Sequence, residues 1–481
     1  MNLFTCKLVV LLILTSTIPA AASSGDYATA AIARVIATGQ PQDTEADPIS
    51  EFTLIDNVHV IDVNSGEVLE EQRVLLRVAE IDSIGPRSEI AVPESATVVD
   101  ADGKFLMPGL FDAHVHMSMS MPSFSKLMVA HGVTATRDTG AATALIINAR
   151  GNSQDPSQVM PELFVTGAIV DGDPPVWPFS EVCTNGEEAR AAVKKLHEAG
   201  VNQIKVYARL PEDAYRAAIE EAHRLELKAT GHVADSVDLD IALETGQDCI
   251  EHLDGFDRLI LSIAEGEDSA SGNMFERMRA WDLVDEIDQD KLNTHLQRHA
   301  EQGVFHCPTL VVMEGIGRVA DPDNPGVEDP RMKYVHVFVA NFWNRGYERF
   351  SPLARNALPS MEKLVFKMHE NGVPLVIGTD LANPFVFAGS SVHDEMVRFE
   401  SAGIPAADVL RMATINAATL CNADDRLGSI EHGKSASLVL LNANPLEDIG
   451  NVRDIESVWC KGVLYDRRAL DEMLKSLEVN N

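Results

Sequence analysis

The sequence is poor in basic residues and in cysteine, and each shortage excludes a class of protein. Its 481 residues include 39 Lys and Arg against 73 Asp and Glu, which gives a formal net charge of −34 at pH 7. Such a negative field repels the phosphate backbone of nucleic acids and anionic lipid surfaces, so neither is an expected partner. The 6 cysteines are widely scattered and form no C-x-x-C motif, which excludes a zinc knuckle and a small disulfide-rich scaffold.

Long hydrophobic runs are also missing. The apolar run at residues 8–14 is far shorter than the roughly 20 residues of a membrane span. It follows Lys7 and precedes the small residues at 20–22, an order typical of a secretory signal peptide. We therefore expect residues 1–22 to direct export to the periplasm or the cell exterior, and residues 23–50 to form an exposed lead-in. No membrane-spanning segment is expected in the mature chain.

The hydrophobic pattern changes twice along the rest of the chain. Short β-type runs fill residues 51–107 and return in residues 419–481, whereas residues 108–418 alternate β-rich runs with helical stretches. The central part predicts an α/β domain with eight strands, at residues 110–116, 133–138, 162–170, 201–207, 226–232, 248–252, 304–311 and 374–380. Eight strands alternating with helices favour a (β/α)8 TIM barrel. The two flanking segments are predicted to join in a small β-sandwich domain.

Polar side chains end several of these strands. His114 and His116 flank Val115, and because alternate residues of a strand share a face, both imidazoles leave the same side. A His-x-His pair is weak evidence alone in a chain with 15 histidines. Further strand ends carry Lys205 with Tyr207, His232, His252 and Asp380. The carboxyl ends of parallel barrel strands converge on one rim, so these side chains are predicted to form a single site.

Each of these residues also has a simpler interpretation. A lone His or Asp at a strand end is more often a buried or capping residue, Lys205 fits a solvated lysine, and Tyr207 fits a tyrosine packed in the barrel. Convergence favours the site. Nitrogen and carboxylate donors without thiolates suit zinc, with manganese, cobalt and nickel harder to exclude.

Three motifs, taken in order, resemble those of the amidohydrolase superfamily, in its branch of imidazolonepropionase-like proteins and metal-dependent prolidases. They are residues 107–116, Met-Pro-Gly-Leu-Phe-Asp-Ala-His-Val-His, residues 371–380 with Asn-Gly-Val-Pro leading into Gly-Thr-Asp, and residues 427–434, Leu-Gly-Ser-Ile-Glu-His-Gly-Lys. The resemblance covers nearly all of residues 51–470. The chain departs from the branch at residues 436–438, where Ala-Ser-Leu replaces the common Ala-Asp-Leu.

The resemblance implies two divalent metal ions, with zinc expected, and a role for each site residue. The ligands would be His114 and His116 for the more buried ion, His232 and His252 for the more exposed ion, and Lys205 and Asp380. Lys205 lies where binuclear members carry a lysine carbamylated by carbon dioxide, which bridges both ions. Asp380 resembles the general base, and Tyr207 is the candidate donor to the developing oxyanion.

The expected activity is hydrolysis of carbon–nitrogen amide bonds in small molecules, such as Xaa-Pro dipeptides or N-acyl amino acids. A metal-bridging hydroxide would attack the carbonyl, while Asp380 takes up the proton and returns it to the leaving amine. Two alternatives stay open. A single bound metal ion would favour a cyclic amidohydrolase of the imidazolonepropionase type, and the absence of any bound metal ion would favour a noncatalytic secreted binding protein. The loop at residues 171–178 is a candidate for substrate selection, and a homo-oligomer stays open.

Overall fold

The computed structural model describes residues 51–117, 123–266, 274–323 and 325–479. The signal peptide expected at residues 1–22 and the lead-in at 23–50 lie outside these described residues. Across the described ranges, no helix is both long enough and apolar enough to pass through a membrane. Five cysteines of the same ranges are buried and unpaired, namely Cys183, Cys249, Cys307, Cys421 and Cys460.

Strands occupy both ends of the described chain and alternate with helices between them. In chain order they are β1 (Phe52–Asp62), β2 (Glu67–Arg77), β3 (Glu80–Pro86), β4 (Thr97–Asp100), β5 (Phe105–Pro108), β6 (Leu110–Val115), β7 (Val133–Asp138), β8 (Glu162–Val165), β9 (Val170–Asp171), β10 (Glu181–Val182), β11 (Gln203–Val206), β12 (Lys228–Gly231), β13 (Cys249–Glu251), β14 (Phe305–Cys307), β15 (Leu438–Leu441), β16 (Ile455–Cys460) and β17 (Val463–Asp466).

The α-helices lie mainly between the central strands. They span Ser123–Ala130, Thr143–Ser153, Gly186–Glu198, Glu212–Arg224, Leu239–Thr245, Phe256–Glu265, Met274–Arg277, Gln289–Gln302, Leu310–Gly317, Val337–Gly346, Ser351–Glu370, Ser390–Ser401, Ala406–Met412, Ile415–Leu420 and Arg467–Ser476. The helix Gly186–Glu198 is representative, because its buried Ala189, Val193 and Leu196 recur every three or four residues and so line one face.

One eight-stranded sheet combines the two ends of the chain, where the sequence predicted a β-sandwich. Its order is β17-β16-β15-β5-β1-β2-β3, and β4 pairs with β1. Strand β15 lies antiparallel to β5, with Leu438 opposite Pro108, so the C-terminal strands extend the N-terminal sheet. Met107 and Val439 on one face join the main hydrophobic core, whereas Leu106 and Leu440 on the other face share a separate cluster with Val74 and Ile81.

The central strands form two parallel sheets, of order β6-β7-β8 and β10-β9-β11-β12-β13-β14. Strands β6 and β7 are buried at every position, as expected of parallel strands covered on both faces. The α/β prediction is therefore correct, but the paired strands do not close into one continuous eight-stranded barrel sheet.

Three of the predicted central strands differ in detail. The run 162–170 is divided into β8 and β9 around Gly167, whose φ of +70° leaves the β region. The run 304–311 is shortened to β14, because a helix begins at Leu310. The run 374–380 is not a regular strand, although the nitrogen of Val376 donates to the carbonyl of His306 at 3.0 Å and that of Asp380 to the carbonyl of His114 at 2.7 Å. This segment thus lies between β14 and β6.

Candidate metal centre

The side chains predicted from the strand ends lie together. Oδ1 of Asp380 is 3.1 Å from Nε2 of His116 and 3.5 Å from Nε2 of His114. Its Oδ2 is 3.9 Å from Nε2 of His252, whose ring centroid is 5.0 Å from that of His232. Nζ of Lys205 is 3.4 Å from Nε2 of His114. All six residues predicted as ligands therefore share one location.

Tyr207 borders the same cluster. Its ring centroid lies 4.2 Å from that of His232 and 5.5 Å from Nζ of Lys205. Both Lys205 and Tyr207 are buried, at 1% and 8% exposure. The interpretation of Lys205 as a solvated lysine is therefore wrong. Burial raises the pKa of Tyr207, which keeps its hydroxyl protonated at neutral pH.

The backbone bends sharply where two strand ends deliver their side chains. His252 has a φ of 61° and Asp380 a φ of 52°, both in the left-handed region that residues other than glycine seldom adopt. Such conformations cost about 1–3 kcal/mol and persist where the surrounding structure enforces them. Here the nitrogen of His252 donates to the carbonyl of Cys307 at 2.9 Å, and the nitrogen of Asp380 to that of His114 at 2.7 Å.

Different groups hold the Nδ1 atoms of His114 and His116. Nδ1 of His116 is 3.0 Å from the carbonyl oxygen of Gly140. A carbonyl only accepts, so Nδ1 of His116 donates here and the ring turns its Nε2 towards the centre. Nδ1 of His114 is 2.7 Å from Oε2 of Glu251, which fixes that ring in the same way.

The other two histidines are held by side chains from neighbouring loops. Nδ1 of His252 is 2.7 Å from Oγ1 of Thr309, and Nδ1 of His232 is 3.0 Å from Oδ2 of Asp254. Partners of this kind orient the ring of a metal-binding histidine and set its tautomer. The rings of all four predicted histidine ligands are thus held in place by neighbouring groups.

Burial keeps two of the rings neutral. It lowers the pKa of His114 to about 4, with the charge of Lys205 acting in the same direction. The pKa of His252 also falls well below its ordinary value, because the ring is buried and lies beside His114. Neutral imidazole is the form that binds a cation, so both rings are ready to act as ligands at neutral pH.

A buried ion pair that was not predicted from the sequence lies beneath the site. Arg137 is fully buried, and its Nη2 donates to Oε1 of Glu251 at 2.8 Å while its Nε donates to the carbonyl of Ala113 at 2.6 Å. Glu251 therefore links Arg137 to the His114 ring. Two signals were available: a charged residue inside the predicted buried strand 133–138, and a carboxylate directly before His252.

The loop proposed for substrate selection reaches Tyr207. Nε1 of Trp177 donates to the Tyr207 hydroxyl at 3.3 Å, and the Trp177 ring stacks on Phe179 with 5.8 Å between centroids. Asp171 fastens the loop, since its Oδ2 accepts from the nitrogen of Val176 at 2.8 Å and its Oδ1 from that of Arg209 at 2.9 Å. Trp177 therefore belongs to the surroundings of the site.

The donor atoms suit a divalent cation. One ligand atom from each of His114, His116 and Asp380 lies within 4.8 Å of the other two. A second triad, His114 with Glu251 and Cys307, meets the same distance. It is a poorer choice, because Glu251 already pairs with Arg137 and burial raises the pKa of the Cys307 thiol well above its ordinary value. The nitrogen and carboxylate set fits zinc and related ions.

Comparisons with known proteins identify the family of the chain. The amidohydrolase family model matches residues 105–465. The imidazolonepropionase of Geobacillus thermodenitrificans (strain NG80-2) is 23% identical over 413 residues, which are 79% of this chain and 84% of that enzyme. Matches to adenine deaminases are short, and the chain covers 14% of the length of the first of them.

Solved structures show the same fold. A bottromycin amidohydrolase has a TM-score of 0.71 at 24% identity, covering 95% of this chain and 94% of that one. A Xaa-Pro dipeptidase with bound methionine has a TM-score of 0.65 at 20% identity, covering 86% and 100%. The family model matches most of the chain, so the chain belongs to the amidohydrolase family.

Proposed function

We propose that this hydrolase uses two divalent metal ions, with zinc expected, to cleave carbon–nitrogen amide bonds in small molecules. The substrate class is dipeptides such as Xaa-Pro or N-acyl amino acids. The observation that carries the proposal is the buried amine of Lys205, 3.4 Å from Nε2 of His114 within the histidine cluster. A lysine among prospective metal ligands calls for a chemical change before cations can bind.

Carbamylation of Lys205 is that change. An ammonium beside two dications is repelled, whereas addition of carbon dioxide to the neutral amine forms an N–C bond, releases one proton and leaves a carbamate. The carbamate brings negative charge and two oxygens, enough to bridge a pair of ions. Lys205 is 1% exposed, so the amine that would react lies within the cluster and not in solvent.

The metal ions, when bound, would lower the pKa of a water molecule and polarise the scissile carbonyl. Asp380 takes up the proton of the attacking water and passes it to the leaving amine. Its orientation is fixed by Asn383, whose Nδ2 donates to Oδ2 of Asp380 at 2.7 Å. Because Trp177 donates to the Tyr207 oxygen, the Tyr207 proton is directed elsewhere, and we place it on the developing oxyanion.

The proposal extends to the fold and the location. Residues 374–381 act as the eighth strand that closes a (β/α)8 barrel, which accords with the bridges of Leu375 to β14 and of Leu381 to β6. Residues 1–22 direct export, because a lysine, an apolar run and small residues follow one another there in the order of a signal peptide.

A cyclic amide is the second candidate substrate, since the likeness to imidazolonepropionase extends over 413 residues. Turnover of dipeptides, N-acyl amino acids, lactones and imidazolones by the zinc-loaded enzyme separates the two candidates. Preference for an imidazolone together with one ion per chain would overturn the dipeptide assignment. A protein that holds no metal after loading and turns over none of these compounds would be a binding protein instead.

Lys205→Ala tests the bridge. We expect activity to be lost and the metal content to fall from about two ions per chain, with partial recovery when a short carboxylic acid is added to replace the carbamate. Lys228→Ala is the matched control, because Lys228 lies on the adjacent strand β12 and its Nζ donates to the carbonyl of Thr419 at 2.7 Å, outside the histidine cluster. Full turnover by Lys205→Ala would refute the bridging role.

A further inference from the structure

We propose that Thr309 and Glu395 form a relay that positions the ring of His252 for metal binding. The proposal rests on the proposed function in one respect, namely that His252 is a metal ligand. Neither Thr309 nor Glu395 lies in any of the three family motifs, and neither ends a predicted strand. Both are positioning residues, since they act on the ion through His252.

The first step of the relay is the contact between Thr309 and His252. Oγ1 of Thr309 lies 2.7 Å from Nδ1 of His252, and Thr309 is 1% exposed. When the hydroxyl oxygen accepts from Nδ1–H, the lone pair of Nε2 is left facing Oδ2 of Asp380, 3.9 Å away. This hydrogen bond therefore fixes the rotation of the ring.

Thr309 reaches His252 from an unusual backbone conformation. Its φ of 52° and ψ of 47° lie in the left-handed region, which a β-branched residue rarely adopts. Such a residue stays there only when its surroundings enforce the conformation. The relay therefore needs a second member that holds the turn at Thr309.

Glu395 supplies that restraint. It is fully buried on the helix Ser390–Ser401, and its two carboxylate oxygens accept from the nitrogens of Leu310 and Val311, each at 2.8 Å. These are the two residues directly after Thr309. A carboxylate that binds two successive backbone N–H groups fixes their orientation and complements the positive end of the helix that begins there.

A second link keeps the two helices in register. Nη2 of Arg398, one turn after Glu395, is 2.8 Å from Oε1 of Glu314, which lies on the helix Leu310–Gly317. Burying a glutamate is unfavourable unless it is well hydrogen-bonded, and here its two hydrogen bonds go to the turn that carries Thr309. The relay thus runs from the helix Ser390–Ser401, through the turn, to the His252 ring.

Four variants separate this relay from a purely structural cap. Thr309→Val keeps the β-branched shape and removes the hydroxyl, whereas Thr309→Ser keeps the hydroxyl. Glu395→Gln replaces one of the two acceptor oxygens with an NH₂ group, which cannot accept from a backbone N–H. Glu400→Gln is the matched control, because Glu400 lies on the same helix and accepts from a different backbone nitrogen, that of Ile449, at 3.2 Å.

The first measurement is the affinity for the more weakly held of two zinc ions, by competition with a chelator. Thr309→Val and Glu395→Gln should weaken it about 10–100-fold, the effect of losing the partner of a ligating histidine. Thr309→Ser and Glu400→Gln should stay close to the wild type. A wild-type affinity in Thr309→Val, or an equal loss in Thr309→Ser, would overturn the relay.

The second measurement needs no metal. In the metal-free protein, a crystal structure should show the His252 ring in one orientation with Nδ1 on Thr309, and Thr309→Val should leave the ring rotated or in two orientations. An unchanged ring orientation in Thr309→Val would refute the relay even if zinc binds. A wild type that binds no zinc while Thr309→Val still displaces the ring would refute the proposed function and leave the relay supported.

Discussion

At the scale of single residues, the most demanding feature is the cation buried under the site. Arg137 is fully buried, and its five donors serve the main chain of β6 and the side chains of β11, β12 and β13. Its contacts include Oγ1 of Thr230 at 2.9 Å, Oε1 of Gln203 at 3.3 Å and Oε1 of Glu251 at 2.8 Å. A buried ion pair stabilises little by itself, but losing one partner leaves an uncompensated charge in a medium of low dielectric constant.

Arg137→Met should therefore lower the free energy of unfolding by about 3–5 kcal/mol, measured by urea denaturation of the metal-free protein. Arg190→Met is the control, because Arg190 pairs with Glu220 at 2.7 Å at the surface, where both side chains are more than a third exposed. A surface pair of this kind contributes about 0–1 kcal/mol. Equal losses in both variants would contradict the role assigned to Arg137.

A second prediction for single residues concerns kcat and the hydrogen bond between Trp177 and Tyr207. Tyr207→Phe removes the proposed oxyanion donor and should lower kcat by about 10²–10³-fold. Trp177→Phe keeps an aromatic ring but loses the N–H that points at Tyr207, so a smaller decrease is expected. In the Tyr207→Phe background the Trp177→Phe change should have no further effect, because both act through one hydroxyl. Additive losses would show that Trp177 acts independently of Tyr207.

The candidate ligands were predictable from the sequence, whereas their supports were not. His116, His232 and Asp380 end predicted strands, and the ends of parallel strands converge whatever the loops do. Their roles as ligands stay predictions. The roles of Arg137 and Thr309 depend on contacts with residues about 110 and 57 positions away in the sequence, and no local pattern predicts such contacts. The residues that hold the candidate ligands in place are therefore determined by tertiary packing.

At the scale of elements, a pH-sensitive contact joins a helix to a strand start. Nε2 of His223, near the end of the helix Glu212–Arg224, is 2.9 Å from Oδ2 of Asp248, which also accepts from the nitrogen of Ala229 at 2.7 Å. The hydrogen bond to Asp248 raises the pKa of His223 above its ordinary value. The protonated ring therefore stabilises the folded state.

His223→Gln should show this as a stability difference that depends on pH. A raised folded-state pKa gives stabilisation that is complete below the unfolded pKa of about 6.5 and is lost as the pH rises through the folded value. The variant should therefore be less stable than the wild type at pH 5.5, by no more than about 1 kcal/mol for so exposed a pair, and nearly equal at pH 9. A difference that widens towards alkaline pH in thermal unfolding would contradict this sign.

Element boundaries were the least predictable feature, and each error has a local cause. The strand predicted over 304–311 ends early because Thr309 takes a left-handed conformation and a helix starts at Leu310. The strand predicted over 374–380 has the right neighbours but makes only isolated bridges, through Leu375 and Leu381. Periodicity indicates which side chains are buried, but hydrogen-bond register depends on partners that are distant in sequence.

At the scale of the whole molecule, the strands of the two chain ends share one sheet, and the predicted β-sandwich stays a prediction. The inward face of the sheet contributes Met107, Val439 and Val458 to the main core. The opposite face forms a small cluster of its own, which includes Val58, Leu106 and Trp459. Most of this cluster comes from strands, since Val74 of β2 and Ile81 of β3 join Leu438 of β15 and Trp459 of β16. Strands from both ends of the chain therefore pack together on this face.

Metal binding should stabilise the whole fold, because the proposed ligands come from segments far apart in the sequence. His114 lies on the first central strand, β6, Lys205 lies on β11, and Asp380 belongs to the segment between β14 and β6. An unfolded chain cannot hold them together, so an ion binds the native state alone. Stabilisation then follows mass action and reaches about 2.7 kcal/mol at a free metal concentration 100 times Kd.

Removal of zinc by a chelator should accordingly lower Tm, and return of zinc should restore it. The acidic surface, with a net charge of −34, makes a nonspecific cation effect the main competing explanation, so magnesium at equal ionic strength serves as the control and should leave Tm almost unchanged. The double variant His114→Asn/His116→Asn should lose most of the zinc-dependent shift. An equal shift in the double variant would mean that zinc acts elsewhere on the molecule, and a magnesium effect of the same size would mean that screening of the surface charge is sufficient.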